Sequence, residues 1–380
     1  MGIQRKSAVW IMKCRLYVLY FALILIGLWV YESDNVYALE ELPIDYTDVN
    51  EHMPDSSNDM DFESMVHQFA TGSINGNLTQ SMISTWKDQL FAEISQNAKQ
   101  MKWILLIGIF SAILSKMALA LRTSVVSDTG QLVSVMLVGT SLYGIFEICM
   151  QVASSFLEQI LSFMKCLLPV YMCSLGLFLG GSGVRLYYES VFVFLCVMDI
   201  LILKIAFPVI RIYGVFTLMN GFTKDKIAEG FLNYMEYILS FIFKGFCAAT
   251  VFLSALQGML LPGIAGNRLT NSVIRSLSGT VGVSVSNLVY GSAGAIKSGI
   301  GAAGCVVLLI YLAVPFIKLF ITQTCLQGVS MILTPVADKR MIDSTVGMKK
   351  AVEYLLKGIF LSAVMCMVMI AVICMTAQRV

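Results

Sequence analysis

The chain has 380 residues, 57% of them hydrophobic and only 13% charged, with a net charge of +2. A soluble domain carries about 25% charged residues, so this composition excludes an ordinary soluble protein and describes a chain largely dissolved in lipid. The near-neutral total conceals a split, because residues 39–102 hold 11 acidic and 3 basic side chains while residues 103–380 hold 11 acidic and 19 basic.

Residues 1–38 read as a secretory signal peptide. Arg5, Lys6, Lys13 and Arg15 form a charged n-region, Leu16 to Val30 an apolar core, and Val36-Tyr37-Ala38 supplies the small residues required at −3 and −1. Cleavage after Ala38 and retention as an anchor helix both keep the positive end cytoplasmic and send Leu39 onward across the membrane.

The delivered segment, residues 39–102, begins as an acidic lead-in rich in Asn, Asp and Ser up to Asp61. Phe62, Met65, Val66 and Phe69 then recur at helical spacing and predict a short amphipathic helix ending at Gly72. A second helix is expected over Thr79 to Met101, with Ile83, Trp86, Leu90, Ile94 and Met101 on one face. That face is too narrow for a core and needs the first helix, the membrane surface or a partner. His52 and His67 lie here with no cysteine nearby, the pattern of solvated histidines and not of a metal site.

From residue 103 the expected fold is an all-α polytopic membrane body. Seven segments are long and apolar enough to cross about 30 Å of hydrocarbon: Trp103–Leu121, Leu132–Ala153, Phe163–Leu179, Val191–Val209, Tyr237–Leu261, Ile300–Thr322 and Tyr354–Met375. Starting outside, they leave the C-terminus in the cytoplasm, and Arg122, Arg185, Arg268, Arg275 and Lys297 fall in interior loops. The loop Gln323–Glu353 breaks this rule, since it is placed outside yet carries Lys339, Arg340, Lys349 and Lys350. A half-span or hairpin between Leu269 and Gly299 would restore the alternation. The cysteines beyond the signal lie in or beside apolar runs without a CxxC pair, and read as small buried hydrophobes.

Leu277 to Gly304 is dominated by Gly, Ala and Ser. In water such a run suggests a linker; beside membrane helices, small residues let backbones approach closely. The expected packing face is Gly282, Gly291, Ala295, Gly299 and Ala303, on re-entrant or broken helices. Gly291 to Ser298 approaches a P-loop, but Ile296 occupies the second glycine position and no strand precedes it, so a phosphate cradle is rejected.

Glu147, Asp199, Lys204, Lys244 and Lys318 fall inside expected spans, where charge is costly and points to a protein interior or a water-filled conduit. Asp199 and Lys204 are about 140° apart around a helix, so Asp199 is expected to find Lys244 or Lys318 on another helix. Glu147, Gln151, Ser154 and Glu158 form a polar stripe that reads either as the wall of an aqueous path or as a helix end emerging into headgroups, with lysines snorkelling. Pro208 and Pro315 each fall late in a span and predict kinks. No catalytic motif, cofactor motif or basic nucleic-acid-binding patch is present in the sequence.

Several stretches together resemble one family: LPVYMCSLGLFLGGSG (Leu168–Gly183), LQGMLLPGIAGNR (Leu256–Arg268), AIKSGIGAAG (Ala295–Gly304), VPFIKLF (Val314–Phe320) and TPVADKRMID (Thr334–Asp343). The order of features resembles the stage III sporulation protein AE family of endospore-forming bacteria. The matching positions are Pro169 with Gly180 and Gly181, Gln257 and Gly258 with Arg268, Lys297 with Gly301 and Gly304, Pro315 with Lys318, and Pro335 with Asp338, Lys339 and Arg340. The resemblance implies a non-enzymatic subunit of the channel or export complex joining mother cell and forespore. Its implied partners are an ATPase, ring-forming subunits, other small membrane proteins and a forespore protein. It also implies a place in the mother-cell membrane around the forespore, with residues 39–102 in the intermembrane space. A self-contained secondary transporter of a small solute and a membrane scaffold are the competing readings.

Overall fold

The computed structural model describes residues 62–71, 124–176, 182–222, 229–264, 280–334 and 339–375, together with the single positions Val49, Lys102, Leu106, Ile109, Phe110 and Ile113. The expected signal peptide, His52, the helix at Thr79–Met101 and most of the span Trp103–Leu121 lie outside the described residues. So do Gly180, Gly181, Arg268 and Pro335.

Helix α1 (Phe62–Thr71) forms where its apolar spacing predicts, burying Phe62, Met65 and Val66 while Glu63, Ser64 and His67 face outward. It packs on α6 (Thr280–Leu333).

Helix α2 (Ser124–Gly176) runs unbroken for 53 residues, about 80 Å at 1.5 Å per residue. The expected span Leu132–Ala153 and the described part of the expected span Phe163–Leu179, up to Gly176, belong to one helix. The polar stretch between them holds no Gly or Pro to stop it. Ala153, Phe156, Leu157, Ile160, Phe163, Met164 and Leu167 are buried at a repeat of three and four, so the inward stripe continues beneath exposed Glu158 and Gln159.

Helix α3 (Ser182–Leu201) leads through a π-helical segment, Ile202–Ala206, into α4 (Phe207–Phe222). Pro208 explains the widening. It has no N–H to give to the carbonyl of Lys204, and its ring crowds that carbonyl. The Phe207 N–H instead donates to the Ile202 carbonyl, five residues back. The kink expected at Pro208 is thus realised as a π segment, and the helix continues past the expected limit at Val209. Helix α5 (Glu229–Ile264) contains the expected span Tyr237–Leu261.

Helix α6 overturns two loop expectations. The Gly-rich run from Thr280 is neither a linker nor a break but the first part of a 54-residue helix that passes through Pro315. The polar stretch Gln323–Glu353, expected as an exterior loop, instead belongs to α6 and to α7 (Lys339–Met375), separated only by Thr334 and residues 335–338.

Helix α7 lies at the centre of the bundle and packs against α2, α3, α4, α5 and α6. It buries Ala351, Val352, Leu355, Ile359, Cys366 and Ile370 completely. Among the described residues no strand occurs, and four stretches are long and apolar enough to cross a membrane: Val135–Leu167, Phe192–Asn220, Gly299–Leu333 and Arg340–Val368. The protein is an all-α polytopic membrane protein.

Candidate functional site

The bundle carries three polar centres between its helices, two of them where α7 meets its neighbours. The first is Asp199, on α3 one turn before the π segment and fully buried. Ser362 Oγ on α7 donates to its Oδ1 at 2.6 Å, and Cys366 Sγ lies 3.8 Å from its Oδ2. Ser362 and Cys366 are four apart, so one face of α7 presents both groups to the carboxyl. Asp199 therefore meets neutral donors and neither Lys244 nor Lys318, as had been expected. Burying a carboxyl demands hydrogen bonds to both oxygens, and α7 supplies them. The pairing ties α3 to α7 beside the one place where the α3–α4 helix is widened.

The second centre is Glu236 on α5. Its Oε1 accepts a hydrogen bond from the Tyr213 hydroxyl on α4 at 2.8 Å and an ion pair from Lys350 Nζ on α7 at 2.6 Å. Tyr354 packs edge-on to Tyr213 and parallel to Phe243, and Lys357 sits 4.8 Å from the Tyr354 ring centre while pairing with Glu353. One carboxylate thus joins three helices. A further link from Lys349 Nζ to Gln327 Oε1 joins α7 to α6.

The third is an ion pair between Glu147 on α2 and Arg211 on α4. Glu147 Oε2 is buried without a hydrogen-bond partner. This contact, with Phe146 against Gly214, fixes an antiparallel register between α2 and α4.

The remaining expected residues are dispersed. Lys204 and Lys244 are exposed, Lys318 is half-buried and Pro315 is buried within α6. Ala303 is fully buried and Gly299, Gly301 and Gly304 are buried, with Gly304 facing Leu167 and Ile370. Gly282, Gly291, Ala295 and Lys297 lie on α6, and Pro169 lies on α2; their side chains are outside the described residues. The tightest approach falls elsewhere: a Cβ on Gly347 would come within 1.9 Å of Thr217 Cγ2.

Sequence reasoning missed Arg211, Tyr213, Glu236, Lys350, Ser362 and Gly347. Arg211 stands two residues beyond an expected span, Glu236 one residue before another, and Lys350 in the expected loop. A search for apolar periodicity continuing past each charge would have placed Arg211, Glu236 and Lys350 on helices, though not with their partners. The buried hydroxyls Thr322, Ser330, Ser344 and Thr345 bond carbonyls three or four residues back on their own helices, which is local satisfaction and marks no path. Among the described residues, no three His, Cys, Asp or Glu side chains are grouped to hold a metal ion.

A family model described as stage III sporulation protein AE matches residues 60–377, from the edge of α1 to just beyond α7. Stage III sporulation protein AE of Bacillus subtilis (strain 168) is 21% identical over 315 residues, covering 79% of this chain and 77% of that protein. No solved structure gives a significant match. The family match takes in every helix that builds the three polar centres, and the chain belongs to the stage III sporulation protein AE family.

Proposed function

We propose that this protein is a non-enzymatic membrane subunit of the channel or export complex connecting mother cell and forespore, acting as a conduit or export-gate element in late forespore development. The observation that carries the reading is the family match running through the whole helical body, residues 60–377. The buried Asp199 centre between α3 and α7 supports it, because charged and hydrogen-bonding groups inside a membrane bundle are costly unless function or tight assembly requires them. In this reading the partners are the complex's ATPase, its ring-forming subunits and a forespore protein. The chain occupies the mother-cell membrane around the forespore, with residues 39–102 in the intermembrane space.

Purified protein alone in liposomes provides the test. A subunit that works only within its complex gives no solute-coupled uptake. Robust uptake without partners overturns the proposal in favour of a self-contained transporter. Single neutralisation of Glu147, Asp199 and Lys244 then separates conduit from scaffold, since a conduit loses forespore gene expression while complexes still assemble.

A further inference from the structure

The outer face of α2 carries Thr140, Gly144, Gln151, Ser155 and Glu158, all exposed, with exposed Ile148 completing the repeat of three and four between Gly144 and Gln151, and exposed Gln159 beside Glu158, within the candidate span Val135–Leu167. Across the α2–α4 seam, Lys204, Pro208 and Arg211 are exposed at spacings of four and three within the candidate span Phe192–Asn220. Glu158 and Lys204 make no ion pair or hydrogen bond with the described residues. Hydrocarbon is a poor surrounding for such a surface, because unpaired charge and amide groups facing lipid cost several kcal/mol.

The two halves of the surface complement each other. The contacts Glu147–Arg211 and Phe146–Gly214 set the antiparallel register, which brings Lys204 level with Ser154 to Phe156. Glu158 is therefore displaced from Lys204 by only about 3–6 Å along the membrane normal at 1.5 Å per residue. Copies inserted with the same topology meet at equal depth. The polar stripe of α2, with its one carboxylate Glu158, in one copy thus falls opposite Lys204 of the π segment and Pro208 and Arg211 of α4 in another, while the small side chains of Thr140 and Gly144 allow the helices to approach. We propose that this α2–α4 face is the contact surface for a second copy of the chain, with Glu158 of each copy meeting Lys204 of its neighbour. A contact repeated through both stripes closes as a two-fold pair or a ring.

The test uses full-length copies with two different tags, co-expressed and extracted from membranes. Wild-type copies co-purify. Glu158→Lys alone and Lys204→Glu alone each lower recovery of the second tag about fivefold, and both changes in one chain restore it. Failure of wild-type copies to co-purify, indifference to the single reversals, or loss without rescue each overturns the proposal, the last by assigning the face to a different protein. A second measurement guards against misfolding: Glu158→Cys in one copy and Lys204→Cys in the other cross-link with a short thiol reagent. The same Glu158→Cys copy paired with Tyr237→Cys, on exposed α5, does not. Equal cross-linking of both pairs also overturns the proposal.

Discussion

Gly347 is where the packing of this bundle is most exposed to a single methyl group. A Cβ there would lie 1.9 Å from Thr217 Cγ2, 3.2 Å from Thr217 Cβ and 3.4 Å from Thr217 Oγ1. Non-bonded carbons settle near 3.5–4.0 Å, so the new methyl must be cleared by about 1.5–2 Å. Thr217 is buried and β-branched, and rotation about its χ1 leaves the Cβ in place. The α4–α7 contact must therefore open, at a cost of about 1–3 kcal/mol for overpacking. Alanine returns up to about 1 kcal/mol through its helix propensity. The expected net effect of Gly347→Ala is a destabilisation of about 1–2 kcal/mol. The assay is thermal unfolding in detergent, followed by a thiol-reactive dye that reports exposure of the buried cysteines Cys149, Cys305 and Cys366. Gly328→Ala and Gly245→Ala, where nothing lies within 4 Å of the added methyl, are the controls and unfold at or above the parental temperature. Adding Thr217→Ala to Gly347→Ala recovers most of the loss, a coupling expected only for side chains in contact. A Gly347→Ala protein as stable as the controls, or no recovery in the double variant, refutes the reasoning.

Three other outcomes follow from the same contacts. Asp199→Asn keeps an oxygen for Ser362 and keeps the parental stability, whereas Asp199→Leu leaves that hydroxyl unpaired and lowers stability by about 1–3 kcal/mol in the same dye assay. Tyr213→Phe removes one of the two groups held by Glu236 and costs about 1 kcal/mol; Lys350→Ala, whose pair is half-exposed, costs less. Phe62→Ala empties the buried face by which α1 packs on α6, and limited proteolysis near residues 62–71 should accelerate at least severalfold while the membrane body stays intact.

The fold class, α1 and the apolar content of each long helix were legible in the sequence because burial follows a helical repeat. Helix ends were not. Residues 154–162 carry Ser, Glu and Gln and separate two expected spans, yet buried Phe156, Leu157 and Ile160 continue the inward stripe beneath them. Residues 323–353 failed for the same reason, since Lys349 and Lys350 are held by Gln327 and Glu236 from neighbouring helices. Charge ends a hydropathy segment, but it does not end a helix whose charges find partners across the bundle. The candidate site was half legible. Asp199 and Glu147 stood out as acids in apolar surroundings. Their partners Ser362, Cys366 and Arg211 could not be named, because pairing depends on which helices pack together. Gly347 gave no signal either, being a lone glycine whose meaning comes entirely from Thr217, 130 residues earlier in the chain.

The central claim is that this chain works as part of a membrane-spanning sporulation complex. Affinity purification of tagged full-length protein from sporulating cells, after brief cross-linking during engulfment, tests it most directly. The account predicts co-recovery of an ATPase and ring-forming subunits, absent from vegetative cells making the same tagged chain. Recovery of the protein alone, from cells in which the ATPase and ring subunits have themselves assembled, would contradict it.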